Sequence, residues 1–142
     1  MRSLGLDIGR RRIGVALSDP LGIYAFPYQT LPGMSPGELR AYVEQRAGEG
    51  VDTVVLGLPR TLRGQEGSEA KRVRVYAEEL ASLAGVRVVI WDERLSTVEA
   101  EKRLRETGRL KRGKRVDAQA AAVILQSYLD ACRTEEKAEG DG

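Results

Sequence analysis

The sequence contains no histidine and only one cysteine, Cys132. Without histidine there can be no Ser/His or Cys/His catalysis, no imidazole proton shuttle and no His- or Cys-rich zinc site. A single cysteine excludes an internal disulfide and points to a reducing cytoplasm. Long apolar runs are also missing, so nothing reads as a membrane span, and Met1 to Asp7 lacks the apolar core of a signal peptide. The expectation is a soluble cytoplasmic protein with no membrane partner. Any catalysis must rest on carboxylates, Lys, Arg or hydroxyls.

What is present fits one domain: 142 residues, 42% of them hydrophobic, enough for a sheet and helices around a core. Net charge is only +2, but its distribution is uneven. Lys102 to Arg115 is crowded with Lys and Arg, whereas the chain from Glu135 is acidic. Such a basic stretch neutralises phosphates locally or serves as a solvated helix face and loop.

Leu4 to Ile8 and Ile13 to Leu17 are short apolar runs joined by Gly9-Arg10-Arg11-Arg12. The link is too tight for a crossover helix, so the pair reads as an antiparallel hairpin. Ile23 to Leu31 follows the turn Asp19-Pro20-Leu21-Gly22 as a third strand, and Pro27 places it best at an edge. Ser35, Pro36 and Glu38 form a capping box with a first-turn proline, opening a helix to about Gly48. Then come a strand from Val51 to Leu56, a helix from Ser68 to Ala84 stopped by Gly85, and a strand from Val86 to Trp91. A second capping box, Ser96 and Glu99, opens a helix ending at Gly108. Asp117 starts a last helix through Ala121 and Leu125.

The order βββαβαβαα predicts an α/β fold of ribonuclease H-like type. Its sheet would be mixed and five-stranded, three antiparallel strands followed by parallel β/α units, flanked by helices. Residues after about Thr134 lack apolar periodicity, so the sequence reads as one domain over 1–133 and a disordered acidic tail over 134–142.

Three places carry acids at the edge where open α/β sheets bind ligands. Asp7 ends the first strand before Gly9, which suits a metal ligand or a turn former. Asp92 and Glu93 end the strand from Val86, and neighbouring side chains diverge, so one of the two faces the site. Asp117 suits a helix cap or a metal ligand. Three such acids converging on one edge would repel one another, and Mg²⁺ or Mn²⁺ would relieve that repulsion. If the sheet order is 3-2-1-4-5, Asp7 and Glu93 lie two strands apart, roughly 9–10 Å. Glu93 must then reach across Gly57-Leu58-Pro59, or a metal must bridge the gap. Arg12, Arg60 and Arg94 border this edge as candidate phosphate contacts.

The motifs Asp7-Ile8-Gly9, Arg12-Ile13-Gly14-Val15-Ala16 and Ser18-Asp19 resemble the opening of the YqgF/RuvX family. Gly57-Leu58-Pro59, the Gly64 to Ser68 loop, Asp92-Glu93-Arg94-Leu95-Ser96-Thr97 and Val116-Asp117-Ala118 with Ala121-Ala122 match its later motifs in order. The resemblance implies a ribonuclease H-like fold with Asp7, Glu93 and Asp117 as catalytic, metal-binding acids, and it favours Glu93 over Asp92. It also implies a nuclease linked to 5′-end maturation of pre-16S ribosomal RNA, with ribosomal particles as candidate partners, or by kinship a Holliday-junction resolvase acting on branched DNA. A junction would call for a homodimer; an RNA end needs only a monomer. Two departures add positive charge: Arg10, where the family has a small polar residue, and Arg60-Thr61, where it has Leu-Asn.

On this reading Mg²⁺ or Mn²⁺ is the cofactor, and Arg109, Lys111, Arg112, Lys114 and Arg115 hold the nucleic-acid backbone. Two other functions compete. One is an ATP-binding domain of the actin and sugar-kinase type, against which the length counts. The other is a non-catalytic RNA-binding assembly module whose acids are caps and turn formers.

Overall fold

The computed structural model describes residues 2–60, 63–95, 98–108 and 116–141. Strands β1 (Arg2–Ile8), β2 (Arg12–Ser18) and β3 (Ala25–Pro32) form the expected antiparallel meander. They are followed by α1 (Pro36–Gly48), β4 (Val51–Leu58), α2 (Ser68–Ala81), β5 (Arg87–Asp92), a 3₁₀ turn (Glu93–Leu95), α3 (Val98–Glu106) and α4 (Val116–Asp141). Both β4 and β5 join in parallel, and the sheet order is β3-β2-β1-β4-β5. This is the mixed five-stranded ribonuclease H-like arrangement that the element order predicts.

Local chemistry explains the boundaries. The β1–β2 turn is closed by the Gly9 N–H donating to the Arg12 carbonyl at 3.0 Å. Asp19 Oδ1 accepts from the Ile23 and Tyr24 N–H groups at 2.8 and 3.1 Å, organising the next turn. Ser35 and Glu38 make the reciprocal capping box at the start of α1. Pro27 lies on edge strand β3 beside a bulge, where its missing N–H costs no ladder bond. The Ser96–Glu99 box falls outside the described residues.

Helix α2 ends three residues before the expected Ala84. There Ser82 turns inward on the helix: its hydroxyl donates to the Glu79 carbonyl at 2.7 Å, and the Leu83 N–H bonds the Leu80 carbonyl. This tightens the last turn and tucks Leu83 into the core. The chain end also differs from the expected tail, because α4 runs on through Asp141. Residues 135–138, Glu-Glu-Lys-Ala read with their neighbours, are good helix formers. They extend an already nucleated helix without needing an apolar face.

Strand alternation creates two cores. Leu4, Leu6, Ile13, Val15, Val54 and Leu56 point to one face and pack under α1 and α2. The opposite face, under α4, is built from much smaller residues, with Gly5, Gly14, Ala16 and Gly57 beside Val55 as its one larger side chain on β1, β2 and β4 near the helix. Helix α4 answers with Ala118, Ala121 and Ala122, all buried, and lies close on the sheet. A Cβ on Gly5 would stand 2.8 Å from Leu125 Cβ and 3.0 Å from the Ala121 carbonyl oxygen.

Gln126 locks the helix to the meander. It is fully buried, accepts from the Ala25 N–H at 2.9 Å, and donates to the Ile23 carbonyl at 2.9 Å and to Asp130 at 3.0 Å. Replacing it by alanine strands a buried N–H, so Gln126→Ala should lose about 2–3 kcal/mol of unfolding free energy in urea titrations. A loss within experimental error would mean that α4 is held by apolar contact alone.

Candidate functional site

The row of residues across the sheet at Asp7 sets the geometry. Asp7 pairs with Gly14 on β2. One step beyond the Leu6–Leu56 pair it comes level with Gly57 on β4, which in turn pairs with Trp91 on β5. Asp7 is therefore flanked on both sides by glycine, on the face covered by α4. Each glycine leaves room for another acid. A Cβ on Gly14 would lie 1.9 Å from the Asp117 carbonyl oxygen, so the first turn of α4 rests directly on the β2 backbone. A Cβ on Gly57 would lie 3.0 Å from Glu93 Oε1 and 3.2 Å from its Cγ. Glu93 thus reaches over β4 towards Asp7, the crossing that the sheet order demands.

The charges respond to this proximity. The Asp7 carboxyl is raised above the ordinary aspartate range, first by burial and then by the neighbouring Asp117. Glu93 is raised above the usual glutamate range by burial, then by Asp7, then by Asp92. Asp117 lies in the first turn of α4 rather than at its cap, where the helix end favours a negative charge. Arg12 approaches it, Nε to Oδ2 at 3.4 Å. Among the described residues no three His, Cys, Asp or Glu side chains form a closed metal cage. Asp117 and Glu93 each come near enough to Asp7 to act on its charge or feel it, from opposite sides.

Asp92 has turned the other way. Arg94 holds it with both ends of its guanidinium, at 2.6 Å to Oδ2 and 3.2 Å to Oδ1, and the Arg94 N–H donates to Oδ1 at 2.9 Å. These bonds hold the Asp92 carboxyl below its ordinary range. Arg60 adds a looser contact at 3.7 Å and shares itself with Glu66 at the same distance. Glu66 is in turn bound by Arg74 of α2. Asp92, Arg94 and Arg60 therefore form a network on the α2 side, bracketing Glu93 and leaving it free for the opposite face.

The arginines singled out in the sequence thus separate. Arg12 stands at the acids, 50% exposed. Arg60 and Arg94 are committed to the neighbouring network, and Arg10 forms an exposed pair with Glu69 at 2.6 Å. Arg109, Lys111, Arg112, Lys114 and Arg115 lie outside the described residues. The sequence reading missed Gly14 as the seat of Asp117 and missed Arg72. The guanidinium of Arg72 donates to the Ile8 carbonyl at 2.8 Å, tying α2 to the end of β1 next to Asp7. A glycine inside an otherwise apolar strand was the available signal for Gly14, since it marks close backbone approach.

Oxygen donors of one sign, with Asp7 and Glu93 raised by burial and then by neighbouring carboxylates, and without a histidine, suit hard divalent cations. A family model described as "RuvX: Holliday junction resolvase" matches residues 1–131. A protein of Desulforudis audaxviator named "Putative pre-16S rRNA nuclease" is 47% identical over 92% of this chain and 95% of its own. One of the same name from an Anaeromyxobacter species is 49% identical over 92% of this chain and 97% of its own. Among solved structures, T. thermophilus RuvC in complex with a Holliday junction substrate superposes with a TM-score of 0.68 at 16% identity, covering 94% of this chain and 96% of that one. That likeness speaks to the fold.

Raised carboxyls make the folded state bind more protons than the unfolded one. Metal-free stability should therefore fall as pH rises from the ordinary carboxylate range through the raised values of Asp7 and Glu93, and stay low above them. In chelator, Asp7→Asn should melt at a higher temperature than the wild type at pH 7 and show a flatter pH dependence. Adding Mn²⁺ should raise the wild-type melting temperature more than that of the variant. Equal melting of the two proteins across pH 4 to 8 would contradict this electrostatic picture.

Proposed function

The chain belongs to the RuvX family, and from that premise we propose that it is a divalent-metal-dependent nuclease that hydrolyses phosphodiester bonds in 5′-end processing of pre-16S ribosomal RNA. The observation that carries the reading is the pair of glycine-made seats that bring Glu93 and Asp117 to either side of Asp7. The substrate assignment leans on the names of relatives that are nearly half identical over nearly their whole length.

Asp7, Glu93 and Asp117 would hold the metal, Mg²⁺ or Mn²⁺. When bound, one or two such ions supply charge neutralisation and Lewis acidity for in-line displacement at phosphorus by water. The protein's own part is positional. Glycine seats fix two acids, the Asp92–Arg94 pair keeps Glu93 turned towards Asp7, and Arg12 keeps Asp117 at the mouth. Arg12, half exposed, is placed to exchange its carboxylate for a substrate phosphate. Arg109, Lys111, Arg112, Lys114 and Arg115 precede Asp117 in the sequence, and their charge suits them to neutralise a nucleic-acid backbone. Arg60 could join by loosening its two long contacts, whereas Arg94 serves Asp92.

The family description and the RuvC likeness favour a second reading, resolution of four-way DNA junctions by the same acids. End-labelled pre-16S RNA and four-way DNA junctions, each offered with Mg²⁺, Mn²⁺ or chelator, separate the two. Expected is metal-dependent cutting of the RNA, reduced at least about 100-fold in Asp7→Asn, with nucleic-acid affinity unchanged within a few-fold. Cutting of junctions alone would move the assignment to DNA. Undiminished cutting by the variant would remove Asp7 from the mechanism.

A further inference from the structure

Strand β1 divides its backbone hydrogen bonds between two neighbours. The Gly9 N–H donates to the Arg12 carbonyl, so in the antiparallel pairing the odd-numbered residues of β1 bond to β2. The even-numbered residues, Leu4, Leu6 and Ile8, therefore turn their N–H and C=O groups towards β4. The ladder between β1 and β4 stops at the Leu6–Leu56 pair, although β1 continues to Ile8 and β4 to Leu58. Carried one step further in the same register, it would bring the N–H of residue 59 to the Ile8 carbonyl. Residue 59 is a proline and has no N–H to give.

The carbonyl that loses its ladder bond belongs to the residue after Asp7, and Arg72 of α2 takes it instead, donating from its guanidinium at 2.8 Å. Arg72 is itself held in place. Its Nε lies 3.6 Å from Glu69 Oε2, and its guanidinium carbon stands 5.7 Å from the centre of the Tyr76 ring, whose hydroxyl donates to the Met34 carbonyl. Glu69 is bound in turn by Arg10 at 2.6 Å. Helix α2 thus grips the chain on both sides of Gly9, at Ile8 before it and at Arg10 after it.

We propose that Arg72 is a positioning residue for Asp7: it replaces the backbone donor that Pro59 lacks, fixes the end of β1 against the pivot at Gly9, and so keeps the Asp7 carboxyl aimed between Glu93 and Asp117. This role rests on the reading of Asp7 as a metal ligand. Arg72 does not act as a counter-ion, since its bond goes to a main-chain oxygen and the Asp7 carboxyl stands raised rather than lowered. A charged donor makes a stronger bond than a neutral one, which suits a single contact that must stand in for a strand neighbour.

Hydrogen exchange and Mn²⁺ binding test this separately. In metal-free Arg72→Met, the Asp7 and Gly9 amides should exchange at least about 10-fold faster than in the wild type, with Leu4 and Gly5 of the same strand changed by less than about 2-fold. Equal acceleration along the whole strand would reduce Arg72 to a general stabiliser and overturn the proposal, as would no change at all. In Mn²⁺ titrations the sign is informative. Removing a cation near the acids should by charge alone tighten binding, whereas lost positioning should weaken it about 10-fold or more. Arg72→Lys keeps a charged donor long enough to reach the carbonyl, and its affinity should stay within about 3-fold of the wild type. Tighter or unchanged binding by Arg72→Met would overturn the positioning role. A wild type with no affinity for Mn²⁺ would instead remove the metal reading, and the exchange pattern would still decide whether Arg72 holds the strand end. Circular dichroism checks folding, and Arg72→Gln, also uncharged, replaces Arg72→Met if that variant is unfolded.

Discussion

The structure depends on how closely α4 can lie against the sheet. Helices usually stand off a sheet by the thickness of two layers of side chains, but here one of those layers is nearly missing. Gly5, Gly14 and Gly57 present bare backbone, and α4 meets them with alanines and the Leu125 stem. At Gly14 the contact is backbone on backbone, which is why an acid at the start of α4 can come close to an acid near the end of β1. The same feature serves Glu93 from the other side, since an uncovered β4 backbone is the surface over which its side chain extends. Fold packing and site geometry are thus one fact seen at two scales.

That closeness has an electrostatic cost. Asp7 and Glu93 are partly withdrawn from water and set near other carboxylates, and both shifts run towards protonation. The molecule offsets some of this with Arg12 at Asp117 and with the Asp92–Arg94 pair. The offset is arranged unevenly. The carboxylate bound by arginine, Asp92, is the one turned away, and the two that are raised lie near each other. A bound cation would relieve the repulsion between these acids.

Much of this was legible in the sequence, for reasons that can be named. The α1 capping box is written in Ser35 and Glu38 because capping is local, and the β1–β2 hairpin follows from a link too short for a crossover. Placing the acids at strand and helix ends followed from the same pattern. What could not be read depends on distant partners. Alternation says that Asp92 and Glu93 diverge, but which one faces α4 is decided with help from Arg60, Arg94 and the Glu66 loop. Gly14 looks like a weak point in a strand until Asp117, more than a hundred residues away, is seen resting on it. The extension of α4 to Asp141 carries no apolar periodicity because that pattern reports burial, whereas a helix already begun can continue on backbone propensity alone.

The glycine seats have an evolutionary corollary. No amino acid is smaller than glycine, so every replacement at Gly14 or Gly57 adds atoms where the Asp117 backbone, or the Ile124 and Glu93 side chains, already stand. Variation at these two positions can move in one direction only, and that direction evicts an acid. Descendants of such a chain can trade arginines around the mouth with little structural penalty, but they inherit the bare backbone beneath it almost as a fixed letter, held in place by the absence of any side chain.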